Sequence, residues 1–258
     1  MEKIKFTNAT MFALAMNNEK FCAGLLERVM GGRKVADLLI RDKVDLDVEE
    51  NIIASLRAKK VTLDVRFSDS EGWYCFEMQV RNEHNIEKRS RYYHSVIDTA
   101  EVKEGDKYKD IKAGYVIFLC CFDPFEKDKA KYDFVTYDPI NSLQLDDQRY
   151  TMILNSKASE VPDELRTLFD YINNDVVDAD DSLIQEIDEF VVRMSEGKVG
   201  EYLMTIQDVL DLKDEQLAEK DRIIKEQKEI NASNQEIIDR LVREGKISKE
   251  DADLFKFD

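Results

Sequence analysis

The chain has 258 residues, 43% of them hydrophobic, which suits one sizeable domain with an appendage or two small domains. Nine glycines and three prolines argue against a turn-dense all-β protein, and no apolar run is long enough to cross a membrane. The formal charge of -17 argues against a nucleic-acid partner, but most of it lies in residues 105–212, whereas residues 1–104 are nearly neutral.

The first residues, MEKIKFTNATMF, lack the apolar core and cleavage site of a secretory signal, so we expect a cytoplasmic protein. The four cysteines show no CxxC spacing, and Cys120 and Cys121 are adjacent in an apolar run, which is typical of small buried hydrophobic residues. With only two histidines in the chain, a metal would be held mainly by oxygen atoms. This favours Mg²⁺ or Mn²⁺ over zinc.

The chain begins with a helical pattern followed by a short strand pattern. Residues 7–30 carry apolar side chains at helical spacing and stop at Gly31 and Gly32, which predicts one amphipathic helix with a glycine end. Residues 35–40 predict a short strand, and the charged residues 41–58 are ambiguous.

Two runs of alternating side chains in LDVRFSDSEGWYCFEMQV predict a β-hairpin over residues 63–80. Both apolar faces reach one core only if paired residue numbers sum to an odd number, and the middle register of this kind places Asp64 opposite Glu77. Two facing carboxylates need compensation, either from arginines on the same face, Arg66 and Arg81, or from a divalent cation. Taken alone, the pattern favours a solvated polar face over a metal site.

The remaining patterns complete a mixed α/β order. Residues 85–102 predict a helix, and residues 113–122 are apolar on both faces, which predicts a central strand with helices on both sides of its sheet. Residues 131–137 and 149–155 predict further strands, and the chain is helical after Pro162. One stripe of the first of these helices carries Ile86, Arg89, Tyr93, Val96, Ile97 and Ala100.

The C-terminal part predicts a long charged helix. Isoleucines recur seven residues apart at Ile223, Ile230 and Ile237, which is a weak coiled-coil signal and indicates a homo-oligomer formed through this helix. We therefore predict a domain over residues 1–175, a helical extension packed on it over 176–212, and a charged helical tail over 213–258.

The hairpin resembles the site of PD-(D/E)XK nucleases, with Asp64 on one strand and the triplet EMQ on the next. The blocks DVRFSDSEGWYCFEMQV, EKRSRYYHSVID, YVIFLCCFDPF, ILN and EIDEFV resemble, in order and spacing, the bacterial PD-(D/E)XK nuclease family transposases, also called recombination-promoting nucleases of the Rpn type. The resemblance covers roughly residues 6–205. It implies a restriction-endonuclease-like α/β core, a mixed sheet flanked by helices, followed by the helical tail.

The resemblance also implies roles for individual residues. Asp64 and Glu77 would ligate Mg²⁺ or Mn²⁺ together with the backbone carbonyl of Met78. Glu27 stands where such nucleases often carry a further acidic residue, or it is a surface glutamate. Gln79 stands where the superfamily has lysine, and its amide can orient water or a phosphate oxygen but supplies no charge.

The helix after the hairpin carries the candidate DNA contacts. Arg89 and Arg91 match the helix that backs the site in the family, which implies contacts to phosphate or to the carboxylates. Alternatively both arginines are solvated, and we expect Tyr93 to pack in the core.

Three functions remain open at this point. The resemblance implies a Mg²⁺-dependent endonuclease that hydrolyses DNA phosphodiesters, linked to recombination or transposition. The negative charge and the glutamine at position 79 favour, as an alternative, a catalytically weak nuclease-fold module that binds protein or nucleic acid. In the third, an inert domain dimerises through residues 213–258.

Overall fold

The computed structural model describes residues 3–35, 37–41, 52–53, 64–248 and 252, without the side chains of residues 64, 101, 206–219 and 221. The chain divides into two compact units, residues 1–203 and 204–258. The domain boundaries predicted after residues 175 and 212 stay predictions. Among the described helices, none is both long and apolar enough to span a membrane.

The first unit is built on a mixed six-stranded sheet with the order β1-β2-β3-β4-β8-β5. β2 is antiparallel to β1 and β3, β4 is parallel to β3 and β8, and β5 is antiparallel to β8. A small separate ribbon joins β6 and β7. The strands are β1 (Leu39–Ile40), β2 (Asp64–Ser68), β3 (Gly72–Gln79), β4 (Ala113–Cys120), β5 (Lys131–Phe134), β6 (Tyr137–Asp138), β7 (Leu143–Gln144) and β8 (Arg149–Asn155).

The hairpin register agrees with the prediction. β2 and β3 pair Asp64 with Glu77 and Val65 with Phe76, so the apolar residues of both strands enter one core. The doubly apolar β4 is central, between β3 and β8, as predicted. The strand predicted over residues 35–40 is reduced to the two residues of β1, and the ambiguous residues 41–58 lie almost wholly outside the described part of the chain.

The single helix predicted over residues 7–30 is wrong, because two helices occupy this stretch: α1 (Ala9–Ala15) and α2 (Glu19–Val29). The side chain of Asn18 accepts hydrogen bonds from the backbone of Lys20 and Phe21 at 2.9 and 3.4 Å and so caps α2. Asparagine competes in this way with the helical backbone, and the chain breaks at the Asn17-Asn18 pair. The glycine end is confirmed, with Gly31 and Gly32 at φ of 67 and 86° after α2.

Helices cover both faces of the sheet, which confirms the predicted fold class. The further helices are α3 (Ile86–Glu101), α4 (Asp163–Asn174), α5 (Ser182–Ser195) and α6 (Gly197–Arg243). The larger core lies between one sheet face and α1, α2, α4 and α5, and includes Phe12, Phe76 and Phe169. A smaller core lies beneath α3 and includes Cys75, Val116 and Phe118. Cys22, Cys75 and Cys120 are buried, whereas Cys121 is half-buried.

In the second unit, the described part of α6 is mostly exposed. Ile223, Ile230 and Ile237 each have about half of their surface exposed. The helix ends at Arg243, and Gly245 with φ of 68° follows it. Association through this helix stays a proposal.

An ion pair ties the helices of the larger core together. Arg28 of α2 donates to both carboxylate oxygens of Asp181, at 2.7 and 2.5 Å, and Thr167 of α4 donates to the same carboxylate. Asp181 also caps α5 by accepting from the backbone N–H of Ile184 at 3.2 Å. Burial opposes the ionisation of Asp181, but the bonds from Arg28 and Thr167 outweigh it and lower the pKa of Asp181 to about 2.

We expect Asp181→Asn to lower the free energy of unfolding by about 2 kcal/mol at pH 7. Because the folded pKa lies below the ordinary value of 3.8, this contribution is complete above pH 3.8 and is lost as the pH falls towards 2. Urea unfolding at pH 7, 5 and 3 should therefore show the difference between wild type and variant shrinking at pH 3. Asp163→Asn, at an exposed position, is the matched control, and a pH-independent Asp181 difference would contradict this account.

Candidate functional site

Glu77 lies near the carboxyl end of β3 and is buried, with 3% of its surface exposed. Its neighbours in sequence show which way it points, since Phe76 and Met78 belong to the larger core and Cys75 belongs to the smaller one. Glu77 therefore shares the face that α3 covers. The solvated polar face that the pattern alone favoured is not what surrounds this carboxylate.

Arg89 of α3 is the cation that meets Glu77. Its guanidinium Nη2 donates to Glu77 Oε1, and the same nitrogen donates to the hydroxyl of Tyr93 at 3.0 Å. The side chain of Arg89 remains about one-third exposed, while that of Glu77 is 5% exposed. The arginine compensation expected from the hairpin face thus comes, for Glu77, from the helix that crosses it.

Two polar atoms of this pair have no hydrogen-bond partner among the described residues. They are Glu77 Oε2 and Arg89 Nε, and both are buried. A buried carboxylate oxygen without a partner costs on the order of 1–3 kcal/mol, so native structures rarely leave one. Glu77 is therefore satisfied on one oxygen only, and the other has capacity for a cation or a hydrogen-bond donor.

Asp64 begins β2, and its backbone stands directly opposite Glu77 in the antiparallel pair. Residues in this relation have Cβ atoms about 5 Å apart on one face of the sheet. The register thus brings the two predicted metal ligands together on two neighbouring strands. The side chain of Asp64 lies outside the description, so its contact with Glu77 stays a prediction.

Gln79 ends β3 and is half-buried, and its carbonyl accepts from the N–H of Cys121 on the β4 side at 2.8 Å. Successive carbonyls of a strand point to opposite sides, so the carbonyl of Met78 points towards β2. The Met78 side chain itself packs in the larger core. The ligand role predicted for this carbonyl stays a prediction.

Glu27 of α2 uses both carboxylate oxygens locally. Lys34 donates to Oε2 at 2.9 Å and the backbone N–H of Val35 donates to Oε1 at 3.1 Å. The bond from Lys34 lowers the pKa of Glu27, with burial opposing it and Val35 adding to it. Together with Arg28 and Leu183, Glu27 also lines a cavity of about 500 Å³ on the side of the larger core where α2 and α5 lie. The assisting role predicted for Glu27 stays a prediction.

A second polar cluster, beside Arg89 and one turn beyond it, holds α3 on the sheet. The hydroxyl of Thr151 on β8 lies 2.7 Å from that of Ser90 and 3.0 Å from His94 Nε2. Burial, with a smaller effect of Arg149, lowers the pKa of His94 to about 4, so the imidazole is neutral at pH 7. These contacts fix the register of α3 and hence the position of Arg89. Arg91 points outward and is exposed.

Among the described side chains, no group of three or more His, Cys, Asp or Glu residues is placed to hold a metal. Asp64 is not among these described side chains. The predicted ligand set of Asp64, Glu77 and Met78 stays a prediction.

Comparison with protein families settles the kinship of the chain. A family model described as PD-(D/E)XK nuclease family transposase matches residues 6–169, well over half of the chain. The chain belongs to this family. No curated protein and no solved structure gives a match.

Membership in the PD-(D/E)XK nuclease family transposases gives the chain a nuclease- or transposase-related function. The matched residues contain the hairpin and all of α3. The pairing of Arg89 with Glu77 was not resolved by sequence reasoning, although a signal existed. Arg89 is the one charged residue on the stripe of α3 that faces the sheet, between Ile86 and Tyr93.

We expect Arg89→Leu to lower the free energy of unfolding by about 3 kcal/mol, because it strips the buried Glu77 carboxylate of its described cation. The double variant Glu77→Gln/Arg89→Leu should recover part of this loss, since no buried charge remains. Urea unfolding at pH 7 measures both.

Arg91→Leu is the matched control, as it removes an exposed arginine from the same helix and should change stability by less than about 0.5 kcal/mol. Equal losses in Arg89→Leu and Arg91→Leu would contradict a buried ion pair at Glu77.

Proposed function

We propose that the protein is a divalent-cation-dependent DNA endonuclease that hydrolyses phosphodiester bonds. The observation that carries this proposal is the buried Glu77 carboxylate, which has one oxygen without a partner among the described residues and faces the strand that begins at Asp64. Membership in a nuclease family makes DNA the expected substrate. A link to recombination or transposition follows from the family's description alone.

Asp64, Glu77 and the carbonyl of Met78 are the residues that would hold the ion. All three offer hard oxygen atoms, which suit Mg²⁺ or Mn²⁺, and the unpartnered Glu77 Oε2 supports their fit. Bound there, the ion would activate water and stabilise the charge that develops on the phosphoryl group.

Gln79 and Arg89 would divide the work that a lysine does elsewhere in the superfamily. The amide of Gln79, two residues beyond Glu77, orients the attacking water or a phosphate oxygen by hydrogen bonding. The guanidinium of Arg89 supplies the positive charge that the amide lacks, at the carboxylate itself. Glu27 is proposed as an assisting acid.

DNA would approach along the exposed side of α3. Lys88 and Arg91 are exposed there, near Arg89, whereas most of the protein's negative charge lies beyond residue 104. Affinity that rests on so few cations on an acidic protein should be weak, and it should depend on salt less steeply than in proteins that neutralise many phosphates.

One observation favours a second candidate, a catalytically weak module that binds DNA or a protein. Arg89 already neutralises Glu77, so the buried carboxylate is partly compensated without any metal. In this candidate the pair is structural, and Gln79 marks the loss of catalysis.

Nicking of supercoiled plasmid by the pure full-length protein, with Mg²⁺ or Mn²⁺, separates the two candidates. We expect nicking by the wild type and a loss of about 10²–10⁴-fold in Asp64→Asn and in Glu77→Gln, since each removes several kcal/mol of transition-state stabilisation. Glu87→Gln, an exposed glutamate on α3, is the matched control and should keep wild-type activity.

Nicking that survives both substitutions at equal rate would assign the activity to another site or to a contaminant. Absence of nicking with either metal, in protein whose far-UV circular dichroism shows a folded chain, would favour the binding module.

A further inference from the structure

A two-stranded arm, residues 134–145, connects β5 to the stretch that leads into β8 and contains β6 and β7. Its large apolar side chains are exposed, in contrast to the two cores. They are Phe134 (46%), Val135 (41%), Tyr137 (53%), Ile140 (89%), Leu143 (64%) and Leu145 (60%). Monomeric proteins rarely expose contiguous apolar patches of more than a few hundred Å², so an arm of this composition indicates a contact surface.

The apolar side chains lie on both faces of the arm. β6 and β7 pair Tyr137 with Gln144 and Asp138 with Leu143, and Leu145 donates its N–H to the carbonyl of Thr136 at 3.0 Å. Neighbouring strand residues point to opposite faces, so Tyr137 and Leu143 lie on different faces. A two-stranded ribbon is marginally stable in water, and this one needs cover on both sides.

The charges of the arm exclude nucleic acid and anionic membranes as its partner. Residues 132–148 contain no lysine or arginine but several aspartates. The aspartates are also engaged locally: Asp138 accepts from the backbone of Ile140 at 2.9 Å, and Asp147 accepts from the hydroxyl of Thr136 at 2.7 Å. The arm therefore suits a protein surface.

The strand at the base of the arm is an open sheet edge. β5 is the last strand of the six-stranded sheet in the part of the chain that the structure describes. The carbonyl of Ala130 accepts from Asn155 of β8 at 2.9 Å, so by alternation the backbone groups of Lys131 and Asp133 point away from β8. An edge with unpaired N–H and C=O groups is a template for another strand.

The charges on this edge complement those of a second copy. If two β5 strands pair antiparallel about a two-fold axis at Tyr132, the outward groups of Lys131 in each copy meet those of Asp133 in the other. The adjacent registers, centred on Lys131 or on Asp133, put like charges opposite each other and are disfavoured. Lys131 Nζ and Asp133 Oδ1 lie 3.3 Å apart on one face, and Lys131 Nζ also donates to the carbonyl of Val29 at 3.1 Å.

The exposed apolar area is sufficient for a stable contact. With about 150–250 Å² for a fully exposed large side chain and the exposed fractions above, the arm presents on the order of 600 Å². If the other copy buries both faces of each arm, the two arms together reach about 1,200 Å², the lower end of specific interfaces, before the β5 edges are added.

We propose that the protein forms a symmetric homodimer in which two β5 edges pair and the two arms cover each other. This interface is separate from α6 and does not depend on the proposed nuclease activity. It commits to one register, with Lys131 of one copy opposite Asp133 of the other.

Sedimentation velocity of the full-length protein, from about 1 to 100 µM, tests the proposal, because an interface of this size should hold a dimer in that range. The wild type should be a dimer. Leu143→Lys should raise the dissociation constant of the dimer at least tenfold and so favour the monomer. Val176→Lys, at an exposed valine between α4 and α5, is the matched control and should stay dimeric. Circular dichroism confirms that each variant is folded.

The register has its own test. Asp133→Lys alone should weaken the dimer, because each Lys131 then faces a lysine of the other copy, and Lys131→Asp/Asp133→Lys should restore it. A monomeric wild type overturns the proposal, as does a dimer unaffected by Leu143→Lys. A dimer lost in Ile230→Lys but kept in Leu143→Lys assigns the contact to α6 and also overturns it.

Discussion

Glu77 holds a carboxylate under α3, where a charge without partners costs several kcal/mol, and Arg89 satisfies one of its two oxygens. Other features of the site follow from the need to keep this charge buried and paired in the folded protein. α3 must lie across the end of β3 in a fixed register, and the bonds of Thr151 to Ser90 and His94 hold it there. A divalent cation bound at the remaining oxygen would satisfy the carboxylate. The same cation would prepare the site for phosphate.

The strand order explains why this charge is placed beside Asp64. β3 is bordered by β2 on one side and by β4 on the other, and the doubly apolar β4 is buried between β3 and β8. The carboxyl end of β3 is therefore the place where the hairpin can bring two acidic residues to one edge, while the sheet below remains apolar.

Much of this was predictable from the sequence, because parity is a strict rule for a half-buried hairpin. The odd-sum condition left a few registers open, of which the observed pairing of Asp64 with Glu77 is the middle one, and the doubly apolar run selected the central strand. The break between α1 and α2 was not predicted, because helical periodicity continues through Asn17 and Asn18 and only their side-chain bonds end the helix. The sequence left open whether Arg89 contacts the carboxylates, phosphate or solvent, since this depends on how α3 crosses the sheet. The functional roles predicted for the metal ligands, for the arginines and for Glu27 stay predictions.

Calorimetric titration of Mg²⁺ and Mn²⁺ into the full-length protein measures directly whether the unsatisfied side of Glu77 accepts a cation. We expect one site per chain in the wild type and in Glu87→Gln, and at least a tenfold loss of affinity in Glu77→Gln. Binding of equal strength in the wild type and in Glu77→Gln, or no binding in a wild type that is folded, would contradict this expectation.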